Sequence, residues 1–381
     1  MPTPQYKNLR RTYGFDEVAI VPGDVTINPD QTATDFKIGD FNFSIPIIGA
    51  AMDAVTDINM AIKMNELGGL AVLHLEGVQT RCDDPDAALA DIAAASQDKV
   101  TALMQDLYSR PIKEERIGLR VKKVKDSGSI CAVSVTPANT KWLAPLAIEA
   151  GADIIFISST VTTARHESSS MEGLKLEKFT KEVNVPVVVG NCVSYSACLE
   201  LMRTGVACVL IGVGPGAACT TREVLGVGVP QITATMDCAA AREDYMKESG
   251  RYVPIVTDGG FRKGGDICKA VAAGADAVML GSILAQAESA PGKGRHWGMA
   301  NPHKSLPRGT RIKVGTSGTL EQILFGPTSR TDGTQNLVGA LRTAMGTCSA
   351  RNIKEMHRAE MVIAPSITTE GKFWQITQQG K

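Results

Sequence analysis

The sequence predicts an α/β chain whose parallel strands close into a (β/α)8 barrel, and three observations lead there. Eight short runs of apolar and β-branched residues recur along the chain. They are IPIIGA (45–50), GLAVLH (69–74), SICAVSV (129–135), DIIFIS (153–158), VPVVVGN (185–191), ACVLIGVG (207–214), VPIVTDGG (253–260) and DAVMLGS (276–282). Each is nearly continuously hydrophobic, the pattern of a strand covered on both faces. Helical stretches such as DINMAIKMNELG, YSACLELMRTG and GGDICKAVAAG separate the runs and end in glycine just before the next strand. The set spans about 240 residues, from Ile45 to Ser282, as one barrel requires. A doubly wound open sheet is the alternative, because periodicity does not reveal closure.

Taken in order, the connections are short except after the second run (residues 75–128) and the sixth (215–252). Both would emerge at the C-terminal face of a barrel, where long loops build sites. The tail from Ala285 to Lys381 carries a helical stretch around NLVGALRTAMG. No Pro/Ser-rich linker, low-complexity tract or second composition regime interrupts the chain. Residues 1–381 therefore read as a single barrel domain with an N-terminal segment and a C-terminal extension.

Composition excludes several classes. Lys+Arg 40 against Asp+Glu 40 gives zero formal charge, which argues against a broad grip on nucleic acid or an anionic membrane. No apolar run reaches the ~18 residues of a membrane span. The start, MPTPQYKNLRRTYGFDEV, lacks an apolar signal-peptide region. The nine cysteines show neither CxxC nor zinc-type spacing, so reduced thiols in a cytoplasmic protein are expected.

The chemistry should lie at the strand ends. Asp258-Gly259-Gly260 closes the seventh run and Gly281-Ser282 the eighth, the usual phosphate site of this fold. Glycine lets backbone N–H groups approach an anion, and the Ser282 hydroxyl adds a donor. The competing reading makes these glycines simple tight turns. A carboxylate at Asp258 would repel phosphate but suits a pair of ribose hydroxyls, and phosphate plus diol means a nucleotide.

After the sixth run comes Gly212-Val213-Gly214-Pro215-Gly216-Ala217-Ala218-Cys219-Thr220-Thr221-Arg222. It is a poor dinucleotide fingerprint, since Pro215 interrupts it and no acidic residue follows ~20 positions on. Cys219, in a polar loop beside Arg222, is a candidate nucleophile whose thiolate a nearby cation would favour. Cys192 is its rival. His74 reads as a structural imidazole, His166 and His303 as solvated, and His296-Trp297 as placed to pack against a ligand.

These residues carry a resemblance. GVGPGAACTTREVLGVGVPQITA resembles the catalytic loop of the IMP dehydrogenase and GMP reductase family, and TYGFDEVAIVPG its N-terminal segment. PIIGAAMDAVTDINMAIKMNELGGLAVLH, VPVVVGN, VPIVTDGG and GADAVMLGS resemble its strands in the right order. The resemblance implies that Cys219 attacks C2 of IMP, that hydride passes to NAD, and that water hydrolyses the thioimidate to XMP with help from Thr221. It implies Asp258 on the ribose and Gly259, Gly260, Gly281 and Ser282 on the 5′-phosphate. Ala50, Met52, Ala217, Trp297, Gly298 and Met299 would complete the substrate site. Ser158, Ser159, Thr160 and Asn191, with Gly212, Val213 and Gly214, would face the nicotinamide. Carbonyls of Gly214, Gly216 and Cys219 match a potassium loop, and the family's tetramers imply a homo-oligomer, tetramer or octamer.

The chain also departs from the family pattern. Ala217 replaces a phosphate-contacting serine and Ser158 an aspartate, while His296 stands where a tyrosine is usual. The mobile flap whose arginine activates water is nearly absent, which leaves Arg308 and Arg311 as candidate bases. The regulatory pair of nucleotide-sensing (CBS) repeats is missing, because the region after the second run is too short. IMP dehydrogenase is the favoured activity, since EVLGVGVPQITA follows the CTTR tetrad where reductases tend to carry lysines. GMP reductase, and a purine-nucleotide-binding barrel that has lost turnover, are the alternatives.

Overall fold

A computed structural model of the chain describes residues 7, 9–167, 173–298 and 310–364. Eight strands form the barrel: β1 (Ile47–Gly49), β2 (Leu70–His74), β3 (Ala132–Val135), β4 (Ile154–Ser158), β5 (Val187–Cys192), β6 (Cys208–Ile211), β7 (Ile255–Asp258) and β8 (Ala277–Leu280). Seven lie within the apolar runs, and β5 runs one residue past its own, to Cys192. All neighbours are parallel, and β8 pairs with β1 through Val278↔Ile47 and Leu280↔Gly49, which closes the sheet and rules out the open alternative.

The continuous hydrophobicity of the runs follows from closure. In β4, Ile154 and Phe156 fill the barrel interior while Ile155 and Ile157 pack beneath the helices. Likewise Ile48 and Val256 point inward, and Ile47 and Ile255 outward. With a period of two, both faces of every strand are dry, so no polar alternation survives. A two-stranded ribbon (Phe36–Ile38 with Phe41–Phe43) leads directly into β1 and closes the N-terminal mouth. Its Phe36 and Phe43 rings stack with centroids 5.1 Å apart and join the interior cluster.

Local signals start and stop the helices. The Asp57 carboxylate accepts the Met60 N–H at 2.7 Å, capping the helix Ile58–Glu66. Gly205 ends the helix Tyr195–Arg203 with φ 86°, a conformation that costs glycine little.

The two long connections are helical. Residues 75–128 hold four helices: Val78–Arg81, Pro85–Ala94, Val100–Ser109 and Glu114–Asp126. The first three build a cluster around Val78, Leu89, Ile92, Leu107, Tyr108 and Trp297. The connection after β6 carries Thr221–Leu225 and the long helix Gln231–Ser249. In the tail, the helix Leu337–Thr347 covers the expected NLVGALRTAMG stretch, and Met361–Ile363 pairs antiparallel with Val18–Ile20. Among the described residues no helix is long and apolar enough to cross a membrane.

Candidate active site at the barrel mouth

A cavity of about 430 Å³ opens where β1, β4, β5, β6, β7 and β8 end. The β1 end supplies Ala50 and Met52, β4 Ser159 and Thr160, and β5 Asn191. The β6 loop supplies Gly212, Gly214, Gly216, Ala217, Cys219 and Thr221. Asp258, Gly259 and Gly260 follow β7, and Gly281 and Ser282 follow β8, with His296 and Gly298 completing the wall.

Cys219 is part-exposed, and its Sγ donates to Thr221 Oγ1 at 3.1 Å. Thr221 sits at the start of the helix Thr221–Leu225 and is 3% exposed, so its hydroxyl has one fixed place beside the sulfur. The Cys219 N–H closes a turn on the Gly216 carbonyl at 3.0 Å. Arg222 does not serve the thiol as the sequence suggested. Its guanidinium donates to the carbonyls of Val213 (3.3 Å) and Val229 (2.7 Å), tying the two ends of the loop together.

Asp258 accepts a hydrogen bond from Asn191 Nδ2 at 2.7 Å. Burial pushes its carboxyl up to about 6, with the Asn191 amide pulling the other way. Behind it Gln231 Nε2 donates to the carbonyls of Asp258 (2.8 Å), Gly259 (3.2 Å) and Ile211 (3.3 Å), which locks the β6 and β7 ends. Gly212 is required there: a Cβ would stand 2.4 Å from the Asp258 carbonyl.

At the β8 end the Ala285 N–H bonds the Gly281 carbonyl at 2.9 Å, so a helical turn begins at Gly281. The first amides of such a turn lack partners within it and suit an anion. His296 packs against Gly281, is 3% exposed, and burial pushes its imidazole down to about 4, leaving it neutral at pH 7.

Several sequence expectations need correction. Trp297 does not face the cavity. It is fully buried, and its Nε1 donates to the Tyr108 hydroxyl at 2.9 Å, because consecutive residues of the strand Arg295–Trp297 point to opposite sides. Val213 is buried behind the loop. Ser158 also stands off the wall, sharing a hydrogen bond with Ser134 Oγ at 3.2 Å. Arg311 is turned away from the cavity and donates to the carbonyls of Ile92 (2.6 Å) and Ala93 (3.1 Å). Met299, His303 and Arg308 lie outside the described residues. Exposed His166 lines a second cavity of about 290 Å³, together with Thr136, Pro137, Lys141 and Thr162. This cavity shares Ser159 with the first.

The sequence reading missed Arg262 and Gln231. Arg262 lines the cavity, paired to Asp16 at 2.6 Å. Its signal was available, a cation four residues after Asp258. Gln231 carried none, since it acts across 27 residues.

A closed parallel barrel with a nucleotide-sized cavity at its C-terminal mouth defines a class, the (β/α)8 barrels that bind ligands through their βα loops. Residues 12–381 match the family model described as IMP dehydrogenase / GMP reductase domain, and the chain belongs to that family. An uncharacterized oxidoreductase of Mycobacterium tuberculosis is 38% identical over 366 residues, covering 94% of this chain and 98% of that one. Inosine-5′-monophosphate dehydrogenase of Cryptosporidium parvum is 29% identical, over 96% and 94% of the two chains. The crystal structure of an IMP dehydrogenase/GMP reductase-like protein from Corynebacterium glutamicum superposes with a TM-score of 0.90 at 36% identity, covering 94% of this chain and 96% of that one.

Proposed function

We propose that the chain is a nicotinamide-dependent oxidoreductase acting at C2 of a purine nucleoside 5′-monophosphate, and that it oxidises IMP to XMP. The observation that carries this reading is the Cys219 Sγ–Thr221 Oγ1 contact at 3.1 Å, in one cavity with Asp258 and the glycines after β7 and β8.

In this reading the Cys219 sulfur adds to C2 of the purine, and its proton leaves through the Thr221 hydroxyl. NAD, when bound, accepts the C2 hydride. The resulting thioimidate is hydrolysed by water, which releases XMP and restores the thiol. Ionised Asp258 accepts from the ribose hydroxyls. The turn at Gly281, with Ser282 and Arg262, binds the phosphate, and neutral His296 backs that turn without adding charge. Ser159, Thr160 and the adjoining cavity would hold the cofactor, with Lys141 a cation for its phosphates. A potassium ion would be held by the carbonyls of Gly214, Gly216 and Cys219. The Gly216 carbonyl already accepts the Cys219 N–H and keeps one lone pair for an ion.

One observation favours a second reading, GMP reduction to IMP. Hydrolysis needs a group to activate water, and Arg311 is turned away from the cavity with its Nη1 on the carbonyls of Ile92 and Ala93. Reduction uses the same thioimidate but forms it by expelling ammonia, so no water needs activation.

Incubation with IMP, NAD and potassium, and in parallel with GMP and NADPH, separates the two by absorbance of the reduced nicotinamide. NADH formation only in the first mixture supports dehydrogenase, and NADPH loss only in the second supports reductase. Silence in both leaves a nucleotide-binding barrel without turnover. Cys219→Ala should abolish either activity while nucleotide binding, read by calorimetry, persists. Turnover of that variant at the parent rate would end the covalent mechanism. We also propose a homotetramer or octamer, to be read by light scattering.

A further inference from the structure

Three cysteines that the mechanism does not use converge below the barrel mouth. Cys192 ends β5, Cys198 lies on the helix Tyr195–Arg203, and Cys238 on the helix Gln231–Ser249. Their sulfurs all lie within 4.8 Å of one another. They are 2%, 0% and 0% exposed, amid Val189, Leu201, Ile211 and Ala241. Cys198 lies on the helix that follows β5 directly, and the helix Gln231–Ser249, distant in sequence, must dock there for the three to meet. The other buried cysteines (Cys82, Cys131, Cys208 and Cys268) belong to no such group among the described residues.

We infer that this trio is a binding site for a soft monovalent d10 cation, copper(I), held by three sulfurs in trigonal geometry. Sulfur ligands select soft ions over hard ones. Coordination number selects among the soft ions. The Cys198 thiol donates to the Cys238 carbonyl and the Cys238 thiol to the Ser194 carbonyl, both at 3.8 Å, so the sulfurs face one another with only weak bonds to give up. Copper(I) takes soft sulfur ligands, and three converge here. On binding, the coordinating thiols lose their protons to solvent, and each sulfur donates a lone pair as thiolate. A zinc ion would need a fourth donor to complete a tetrahedron. Among the described residues no His, Asp, Glu or further Cys joins the three sulfurs.

The test uses the full chain carrying Cys219→Ala, which removes the part-exposed active-site thiol as a competing ligand. Reduced protein is titrated without oxygen with copper(I) presented by a competing chelator. Because the site is buried, metal content is also measured on protein produced in copper-supplemented medium. About one equivalent per chain is expected, with three sulfur neighbours by X-ray absorption. Cys198→Ala and Cys238→Ala, each shown folded by circular dichroism, should lose it, whereas Cys208→Ala should keep it. No uptake by either route would overturn the proposal, as would uptake that survives both cluster variants. Preferential loading of zinc(II) in a four-ligand shell would overturn the trigonal assignment. These readouts need no turnover, so the site stands or falls independently of the activity assigned to Cys219.

Discussion

Replacing Asp258 with asparagine should make the free protein more stable at neutral pH and a worse nucleotide binder. Burial raises the native carboxyl to about 6, whereas the unfolded chain titrates near 3.9. The difference is about two pH units, or about 3 kcal/mol, and the open cavity mouth makes this an upper bound. The sign follows from proton counting. Between pH ~4 and ~6 the native state binds more protons than the unfolded state, so stability falls as pH rises through that window. Above pH ~6 the full cost of a buried carboxylate is present, and below pH ~4 there is none. Asp258→Asn removes that cost while its side-chain oxygen can still accept from Asn191. Denaturant unfolding of both proteins at pH ~8 should therefore show the variant more stable by up to ~3 kcal/mol, with the gap closing at pH ~4. Nucleotide affinity should move the opposite way, about tenfold to a hundredfold weaker, as a charged acceptor for two hydroxyls is lost. In the parent, affinity should fall as pH drops through about 6. A variant less stable at pH ~8, or a gap that ignores pH, would refute the reasoning.

Other expectations are simpler. Tyr108→Phe leaves the fully buried Trp297 N–H without its 2.9 Å acceptor and Asp53 without a 2.8 Å donor, so unfolding should cost about 1–3 kcal/mol less. A change within ~0.5 kcal/mol would mean that the pair bonds elsewhere. Gly281→Ala sets a Cβ 3.2 Å from the His296 ring. It should weaken nucleotide binding about tenfold with little effect on stability, and unchanged affinity in calorimetry would detach this turn from the phosphate. Arg311→Lys should lower stability by about 1–2 kcal/mol through its lost carbonyl bonds. It should leave the thioimidate at its parent steady-state level, and accumulation of the adduct by mass spectrometry would reinstate Arg311 as the base.

Much of this molecule could be read without coordinates, and the reason is periodicity. A buried parallel strand must be apolar on both faces, so IPIIGA, DIIFIS and DAVMLGS each announce a strand, and the short connections announce its order. Glycines and polar residues at the run ends mark the mouth, which is why Asp258, Gly281 and Cys219 could be singled out. The residues that went astray failed for one reason. Where Trp297, Ser158 and Arg311 point depends on the twist and pairing of local segments, which composition does not encode. A one-residue step along a strand exchanges cavity for core, so His296 lines the site while Trp297 reaches Tyr108 in the helix Val100–Ser109.

The sequence by itself determined the count and order of strands, the positions of their ends, and the residue types offered there. Only the tertiary structure decided closure, through the β8–β1 seam, because no local pattern measures the distance between elements some 230 residues apart. It also decided partnership. Asn191 meets Asp258 and Gln231 spans three carbonyls, while three cysteines from one strand and two helices share a pocket of the core. These contacts are set by how helices pack on a closed sheet. They join residues that neither spacing nor periodicity relates.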